Sequence, residues 1–209
     1  MLIERPPKWF RRLFPGALFR LPSGKSPGTV YLTFDDGPIP EATPWILDVL
    51  DKYGVKATFF MVGQNVERYP EIFEEVVRRG HVVGNHTLHH IKGFGISKED
   101  YLEDSLKGEK LTGSRLFRPP HGFFTPRQFH AVKDKYQVVM YDLVTRDYSK
   151  RLDAREVVSN VKKYARDGSI KVFHDSLKSI EKLKTALPES IEWLKSKGYK
   201  FETLKSEPV

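Results

Sequence analysis

Apolar and polar positions along residues 29–205 predict short strands that alternate with helices. Between the strand-like runs, apolar residues recur at three- and four-residue spacing, as on one face of a helix. Pro188 interrupts the last such face, so two helices are expected there. This alternation predicts a parallel sheet with right-handed crossovers, closed or nearly closed as a barrel. The predicted strands are "TVYLTF", "KATFFMVG", "HVVG", "RLFR", "YQVVMY", "SIKVF" and "YKFETL", and the helices cover 41–53, 70–79, 97–113, 126–134, 153–166 and the region from 180 to 194.

The first 28 residues depart from this pattern, because they mix basic and aromatic residues with prolines and glycines. They carry six basic residues and one acidic residue, which is most of the net charge of +8. Pro15 and the arginines leave no apolar stretch of the length that a secretory signal needs. We divide the chain into a basic aromatic arm, 1–28, and a domain, 29–209. The arm either packs on the bottom of the barrel or makes a peripheral contact with an anionic membrane.

Composition excludes several classes of protein. The 209 residues suit one domain, and the absence of cysteine excludes disulfides and thiolate ligands. No apolar run is long enough to cross a bilayer. Outside the arm the charges nearly balance, so no nucleic-acid partner is expected. No export signal is visible, which by sequence favours a cytoplasmic or membrane-peripheral protein but identifies no compartment.

Polar residues follow five of the predicted strands. Asp35 and Asp36 follow "YLTF", "NHTLHH" follows "HVVG", "PPHG" follows "LFR", "DLVTRDY" follows "VVMY", and His174 follows "KVF". The carboxyl ends of parallel strands share one face of the sheet, and that face carries the site. We therefore expect these residues to converge.

The histidines and the paired aspartates together indicate a metal site. His86 pairs with His89 or His90 at helical spacing, so two imidazoles could share a face if this segment is one helical turn. A carboxylate can complete a mixed nitrogen and oxygen site. One aspartate would bind the cation, and the other would act as a base beside it. The alternatives are a solvated histidine run and a simple turn at "DDGP".

These residues stand in motifs that resemble those of the polysaccharide deacetylases with the NodB homology domain, carbohydrate esterase family 4. The resemblance covers about residues 29–205 and keeps the order of the family's motifs. It implies a distorted, TIM-like (β/α) barrel of about seven parallel strands. The motifs are "TFDDGP" at 33–38, "HTLHH" at 86–90, "RPPHG" at 118–122, "DLVTRDY" at 142–148 and "VFH" at 172–174.

The resemblance also implies roles for individual residues. The metal ligands would be Asp36, His86 and His90, which leaves His89 outside the site. Asp35 would be the general base, oriented by Arg118. The cofactor would be a divalent metal. Zn²⁺ is the usual metal of the family, and Co²⁺, Ni²⁺ and Mn²⁺ are alternatives.

The remaining roles concern the leaving group and the acetyl group. His174 would be the general acid with Asp147 beside it, although Asp142 stands in the same motif. The backbone N–H of His121, in the motif that also holds Pro120, would help to bind the oxyanion. Val172 would line the pocket for the acetyl methyl group.

Four positions depart from the family pattern, and they leave the substrate open. His121 replaces a tyrosine, Tyr148 a tryptophan, Val144 an aspartate and Val172 a leucine. The resulting hypothesis is a metal-dependent hydrolase that removes N-acetyl groups from the sugars of a polysaccharide or glycan. The alternatives are an O-acetyl esterase on xylan-like sugars and a catalytically silent carbohydrate-binding module.

Overall fold

A computed structural model describes residues 4–24 and 27–205 of the chain. The strands are β1 (Thr29–Asp35), β2 (Thr58–Met61), β3 (Val82–Asn85), β4 (Leu116–Phe117), β5 (Gln137–Val138), β6 (Leu143–Val144), β7 (Ser169–His174) and β8 (Lys200–Phe201). The helices are α1 (Lys8–Arg12), α2 (Thr43–Lys52), α3 (Gly63–Arg68), α4 (Pro70–Arg78), α5 (Lys98–Thr112), α6 (Pro126–Val132), α7 (Ala154–Tyr164) and α8 (Ile180–Ser196).

Seven strands form one curled parallel sheet of the kind that the sequence predicted, although β6 is not among the predicted strands. Their order is β5-β4-β3-β2-β1-β7-β6, and the short β8 pairs with the start of β1. The interior strand β1 runs in register with β7, so that Asp35 lies opposite His174. This register brings the last residues of the two strands to the same face of the barrel.

Two clusters of buried apolar residues pack against the sheet, one on each face. Outside it, Phe34, Phe59 and Phe173 stack on one another and pack against α2, α7 and α8. Inside it, a smaller cluster includes Phe60 and Ile170. Strands buried on both faces read as continuous apolar runs, which is why they could be recognised in the sequence.

The helix at the C-terminus contradicts one prediction. Pro188 does not divide the segment, since α8 continues from Ile180 to Ser196 with the proline inside it. A proline inside a helix costs about 3 kcal/mol. Leu183, Leu187 and Ile191 are fully buried on one face of α8, and burying each such side chain contributes about 1.5–3 kcal/mol. The packing on both sides of Pro188 therefore outweighs its cost.

The arm takes a different course from the one predicted. It does not rest only on the bottom of the barrel but runs along the gap between the edge strands β5 and β6. The backbone of Leu18 pairs with Val138 and Met140 on one side, and Val144 N donates to Glu4 O on the other. Edge strands leave unpaired backbone groups, and the arm satisfies some of them.

The aromatic residues of the arm divide into a buried and an exposed group. Phe14 and Phe19 are buried, and Phe14 packs edge-to-face on Phe124 and Phe129. Trp9, which the packed-arm interpretation expects to be buried, is 64% exposed. No helix within the described residues is long and apolar enough to span a membrane.

Candidate active site

A cavity opens at the carboxyl ends of β1, β3, β4 and β7, where the sequence predicted the site. Nine of the predicted site residues lie in its wall, together with Val144, which the sequence singled out as a departure from the family pattern. The wall consists of Asp35, Asp36, His86, His90, Arg118, His121, Gly122, Tyr141, Val144, Tyr148, Val172, His174, Ser176 and Lys178.

Asp36, His86 and His90 form a compact cluster. One potential ligand atom from each lies within 4.8 Å of the others. Asp36 Oδ1 is 3.2 Å from His90 Nε2 and 3.9 Å from His86 Nε2. The histidines do not meet on a helical turn. They meet through a loop in which Thr87 and His90 have positive φ, and their ring centroids are 5.0 Å apart.

The neighbours of this cluster fix its geometry. His86 is buried, and its Nδ1 lies 2.8 Å from the carbonyl of Arg118, so Nδ1 carries the proton and Nε2 keeps its lone pair. Burial also holds the pKa of His86 well below its usual range. His89 turns away and bonds Asp104 through Nδ1 at 2.6 Å. The geometry therefore separates His90 from His89.

Asp35 lies beside this cluster and pairs with a buried arginine. Arg118 Nη1 donates to Asp35 Oδ1 at 2.6 Å and to Thr33 Oγ1 at 2.7 Å. Arg118 Nη2 donates to the Met140 carbonyl, and its guanidinium lies 4.0 Å from the centre of the Phe60 ring. Burial raises the pKa of Asp35 although the Arg118 charge opposes this. Arg118 thus holds the carboxylate in one orientation.

His174, at the end of the neighbouring strand β7, pairs with Asp147. His174 Nδ1 lies 2.8 Å from Asp147 Oδ1, and the His174 backbone N–H donates to Asp147 Oδ2 at 2.7 Å. Burial lowers the pKa of His174, but the Asp147 carboxylate outweighs it and brings that pKa to about 9. His174 is therefore protonated at neutral pH, and its Nε2 is the nitrogen left to donate a proton.

Asp142 serves a different purpose from Asp147. It is fully buried and accepts hydrogen bonds from Arg166 and, at 2.8 Å, from Arg11 of the arm. Burial raises its pKa, but these two arginines lower it more, to about 2. Asp142 therefore anchors the arm and does not contact His174.

An apolar wall and a tight turn complete the cavity. Val144, Val172 and Tyr141 are buried against one another, and the Tyr148 ring packs edge-on to His174 at 4.8 Å. His121 lies at the centre of the 3-10 turn Pro120–Gly122 with φ of 60°. The hydrogen bonds of this turn are donated by Gly122 and Phe123, so they do not use the His121 N–H.

Two predicted residues stand behind the wall, and several wall residues were missed. Pro120 is buried in the turn, and Asp147 reaches the cavity only through His174. The missed residues are Tyr141, Gly122, Ser176 and Lys178. Gly122 directly follows His121, Ser176 and Lys178 come shortly after His174, and Tyr141 ends the predicted strand "YQVVMY", so closeness in sequence was the signal available to find them.

A steric constraint explains why the third residue of "DDGP" is a glycine. A Cβ at Gly37 would lie 1.9 Å from Asp175 Oδ2. Asp175 accepts hydrogen bonds from Gly37 N and Thr43 Oγ1. This contact ties the loop that carries Asp36 to the end of β7.

The donor set suits a divalent cation. Two imidazole nitrogens and one carboxylate oxygen form a common set for such ions, with further positions left for water or substrate. Burial opposes ionisation of Asp36, but the neighbouring imidazoles outweigh it, so its pKa lies well below the usual range. The carboxylate is thus charged and ready to bind a cation at neutral pH.

Comparison with known proteins agrees with this geometry. The profile of the polysaccharide deacetylase family matches residues 23–139. A relative from Bacillus cereus, a peptidoglycan-N-acetylglucosamine deacetylase, is 36% identical over 183 residues, which cover 84% of this chain and 85% of the relative. The chain belongs to the polysaccharide deacetylase family. It is a hydrolase that removes N-acetyl groups from glycans, and the family is metal-dependent in general.

Two solved structures support the fold assignment. The crystal structure of a peptidoglycan N-acetylglucosamine deacetylase bound to a benzamide compound has a TM-score of 0.85 at 31% identity, covering 95% of both chains. The carbohydrate esterase family 4 domain of a multidomain xylanase, from the hindgut metagenome of Trinervitermes trinervoides, has a TM-score of 0.76 at 31% identity. It covers 85% of this chain and 87% of that one.

Proposed function

We propose that this protein removes the N-acetyl group from N-acetylglucosamine residues of peptidoglycan, using one divalent cation held by Asp36, His86 and His90. The observation that carries the proposal is the clustering of these three ligand atoms within 4.8 Å, between a carboxylate–arginine pair and a histidine–carboxylate pair. Such a set supplies what amide hydrolysis needs: a polarised carbonyl, an activated water and a proton donor.

The cation we assign is Zn²⁺, with Co²⁺, Ni²⁺ or Mn²⁺ as alternatives. A bound divalent cation polarises the acetyl carbonyl and lowers the pKa of a water molecule. Imidazole nitrogen favours Zn²⁺ over Mg²⁺ or Ca²⁺, which prefer oxygen ligands. The proton on His86 Nδ1, held by the Arg118 carbonyl, supports binding through Nε2.

Asp35 takes the proton from the attacking water. Arg118 is a positioning residue, because it acts through its ion pair with Asp35. The positive charge of Arg118 offsets the free-energy cost of burying the ionised carboxylate of Asp35. Without a partner of opposite charge, that cost would be high. The adjacent Asp36 binds the cation, so the two neighbouring aspartates divide two roles.

His174 gives its proton to the leaving amine. Its Nδ1 is held by Asp147, so Nε2 is the donating atom. The raised pKa supports this role, because the acid must be protonated when the C–N bond breaks. Asp147 orients the ring and stabilises its charged form.

The turn at Pro120–Gly122 and the apolar wall bind the acetyl group. The His121 N–H helps to stabilise the negative charge that develops on the carbonyl oxygen. Val172, with Val144 and Tyr141, surrounds the acetyl methyl group, and Tyr148 takes the side of the cavity beside His174.

The substrate polymer is assigned from the relatives. The Bacillus cereus relative is named a peptidoglycan-N-acetylglucosamine deacetylase, and its length and that of this chain correspond closely. The xylanase domain supports one alternative, removal of O-acetyl groups from xylan-like sugars by the same site.

The test is a comparison of acetyl release from three substrates by mass spectrometry. Purified protein is loaded with Zn²⁺ and given peptidoglycan, N-acetylglucosamine oligomers or acetylated xylan. We expect loss of acetyl groups from the first two and inhibition by a chelator. Acetyl release from xylan alone would establish the esterase alternative instead, and no release from any substrate would favour a silent binding module.

A further inference from the structure

The N-terminal arm forms a second groove beside the catalytic cavity. The arm contributes Pro6, Pro7, Trp9 and Phe10 to one side of it, and the segment His121–Phe123 lies on the other side together with Tyr141. The groove adjoins the catalytic cavity, since His121, Gly122 and Tyr141 line both. A molecule longer than one sugar could therefore occupy both at once.

Aromatic and proline rings line this groove, and two of the aromatic side chains are exposed to solvent. Trp9 is 64% exposed and Phe123 is 45% exposed. Exposed aromatic residues at the edge of a cavity commonly mark a ligand groove. The other aromatic residues of the arm do not share this exposure, because Phe14 and Phe19 are buried in the core.

Polar contacts before Pro6 and after Pro7 hold the arm's side of the groove in place. Before these prolines, Glu4 Oε1 accepts from Arg146 Nη1 at 2.6 Å. After them, Arg11 donates to the Pro6 carbonyl at 3.2 Å and to Asp142 at 2.8 Å. Asp142 is fully buried, so releasing Arg11 would leave a buried carboxylate with one partner fewer, which is costly. A wall fixed before the ligand arrives loses little entropy on binding.

From this placement we propose that the arm forms a sugar-binding subsite, in which Trp9 and Phe123 stack on a neighbouring sugar of the glycan strand being deacetylated. The subsite rests on the proposed function, since a polymer enters both spaces only if its N-acetyl sugar lies in the cavity. The C–H face of a pyranose ring is apolar and suits an aromatic surface. Its hydroxyl groups stay at the rim, where the half-open groove leaves them in water.

A lipid surface is the other occupant that a basic aromatic arm could meet. Membrane contact would use all the exposed apolar residues of the arm. Leu13, which is 49% exposed, follows Trp9 by four residues but does not line the groove. Dependence on Trp9 without dependence on Leu13 therefore separates the sugar subsite from a membrane contact.

The test compares short and long substrates in matched variants. For the Zn²⁺-loaded full chain, kcat/KM is measured on the disaccharide and the hexasaccharide of N-acetylglucosamine. We expect Trp9→Ala to lower the ratio of hexasaccharide to disaccharide kcat/KM about tenfold, as loss of one stacking contact does. Trp9→Phe should keep most of this ratio, and Leu13→Ala should leave it as in the wild type.

The outcomes distinguish this subsite from the function on which it rests. A wild type inactive on both oligomers would overturn the proposed function. An active wild type whose chain-length ratio is the same in Trp9→Ala would overturn the subsite alone. An equal loss in Leu13→Ala, accompanied by binding to anionic phospholipid vesicles, would also overturn it and establish membrane contact. If Trp9→Ala fails to fold by thermal melting, Phe123→Ala decides, because Phe123 lies outside the arm.

Discussion

Replacing Asp147 with asparagine tests the assignment of His174 as the proton donor. The carboxylate of Asp147 contacts both Nδ1 and the backbone N–H of His174. Asparagine keeps the size and one acceptor oxygen but removes the negative charge. Since that charge is the main cause that raises the pKa of His174 to about 9, the variant should lose the raised pKa while retaining the fold.

The size of the effect follows from the pKa values. An acid whose pKa is about 9 is about 90% protonated at about pH 8, whereas one at the usual ~6.5 is about 3% protonated. Activity that needs the protonated form falls as the pH rises through this pKa. We therefore expect the alkaline limb of kcat/KM to move down by about 2.5 pH units, and the rate at about pH 8 to fall about 30-fold.

The assay is the pH profile of acetate release, and Asp142→Asn is its control. Asp142 is also buried and also follows β5, but it contacts arginines rather than His174. Its variant should lower the melting temperature without moving the alkaline limb. An alkaline limb in Asp147→Asn at the wild-type pH would refute the role of His174.

Three further substitutions test neighbouring parts of the site. Asp35→Asn should keep bound metal but lower kcat by about 10²–10⁴-fold, the usual contribution of a general base, as read by metal analysis and kinetics; metal loss would contradict the division of roles. Gly37→Ala should destabilise the protein by several kcal/mol in a denaturant titration, because its Cβ would lie 1.9 Å from Asp175; unchanged stability would show that the loop can shift. His121→Tyr should alter the preference among glycans yet keep turnover of a small acetyl ester, and complete inactivity with an intact fold would show that the imidazole takes part.

The general position of the site could be predicted because it depends on local pattern. Strands buried on both faces read as apolar runs, and polar residues at their ends must share one edge of a parallel sheet. Asp35 and His174 end two such strands, which the structure pairs directly. The two histidines could be chosen from their motif, although the loop that joins them was not predictable from helical spacing.

The features that could not be predicted from the sequence depend on contacts between residues that are far apart in the chain. The short β6 was not predicted, so Asp142 and Asp147 seemed to follow the same strand. In the structure Asp142 precedes β6 and Asp147 follows it, which carries only Asp147 to the site. Likewise, the arm's course along the gap is set by its backbone pairing and by the buried Asp142, which no local pattern reveals.

The central claim is that a divalent cation held by Asp36, His86 and His90 is required for deacetylation. The most direct test measures Zn²⁺ content and acetate release from N-acetylglucosamine oligomers for His90→Gln beside His89→Gln. The two histidines are adjacent, but His90 lies 3.2 Å from Asp36, whereas His89 bonds Asp104. We predict that His90→Gln loses both metal and activity and that His89→Gln retains both. Full metal content and activity in His90→Gln, or their loss only in His89→Gln, would contradict the claim.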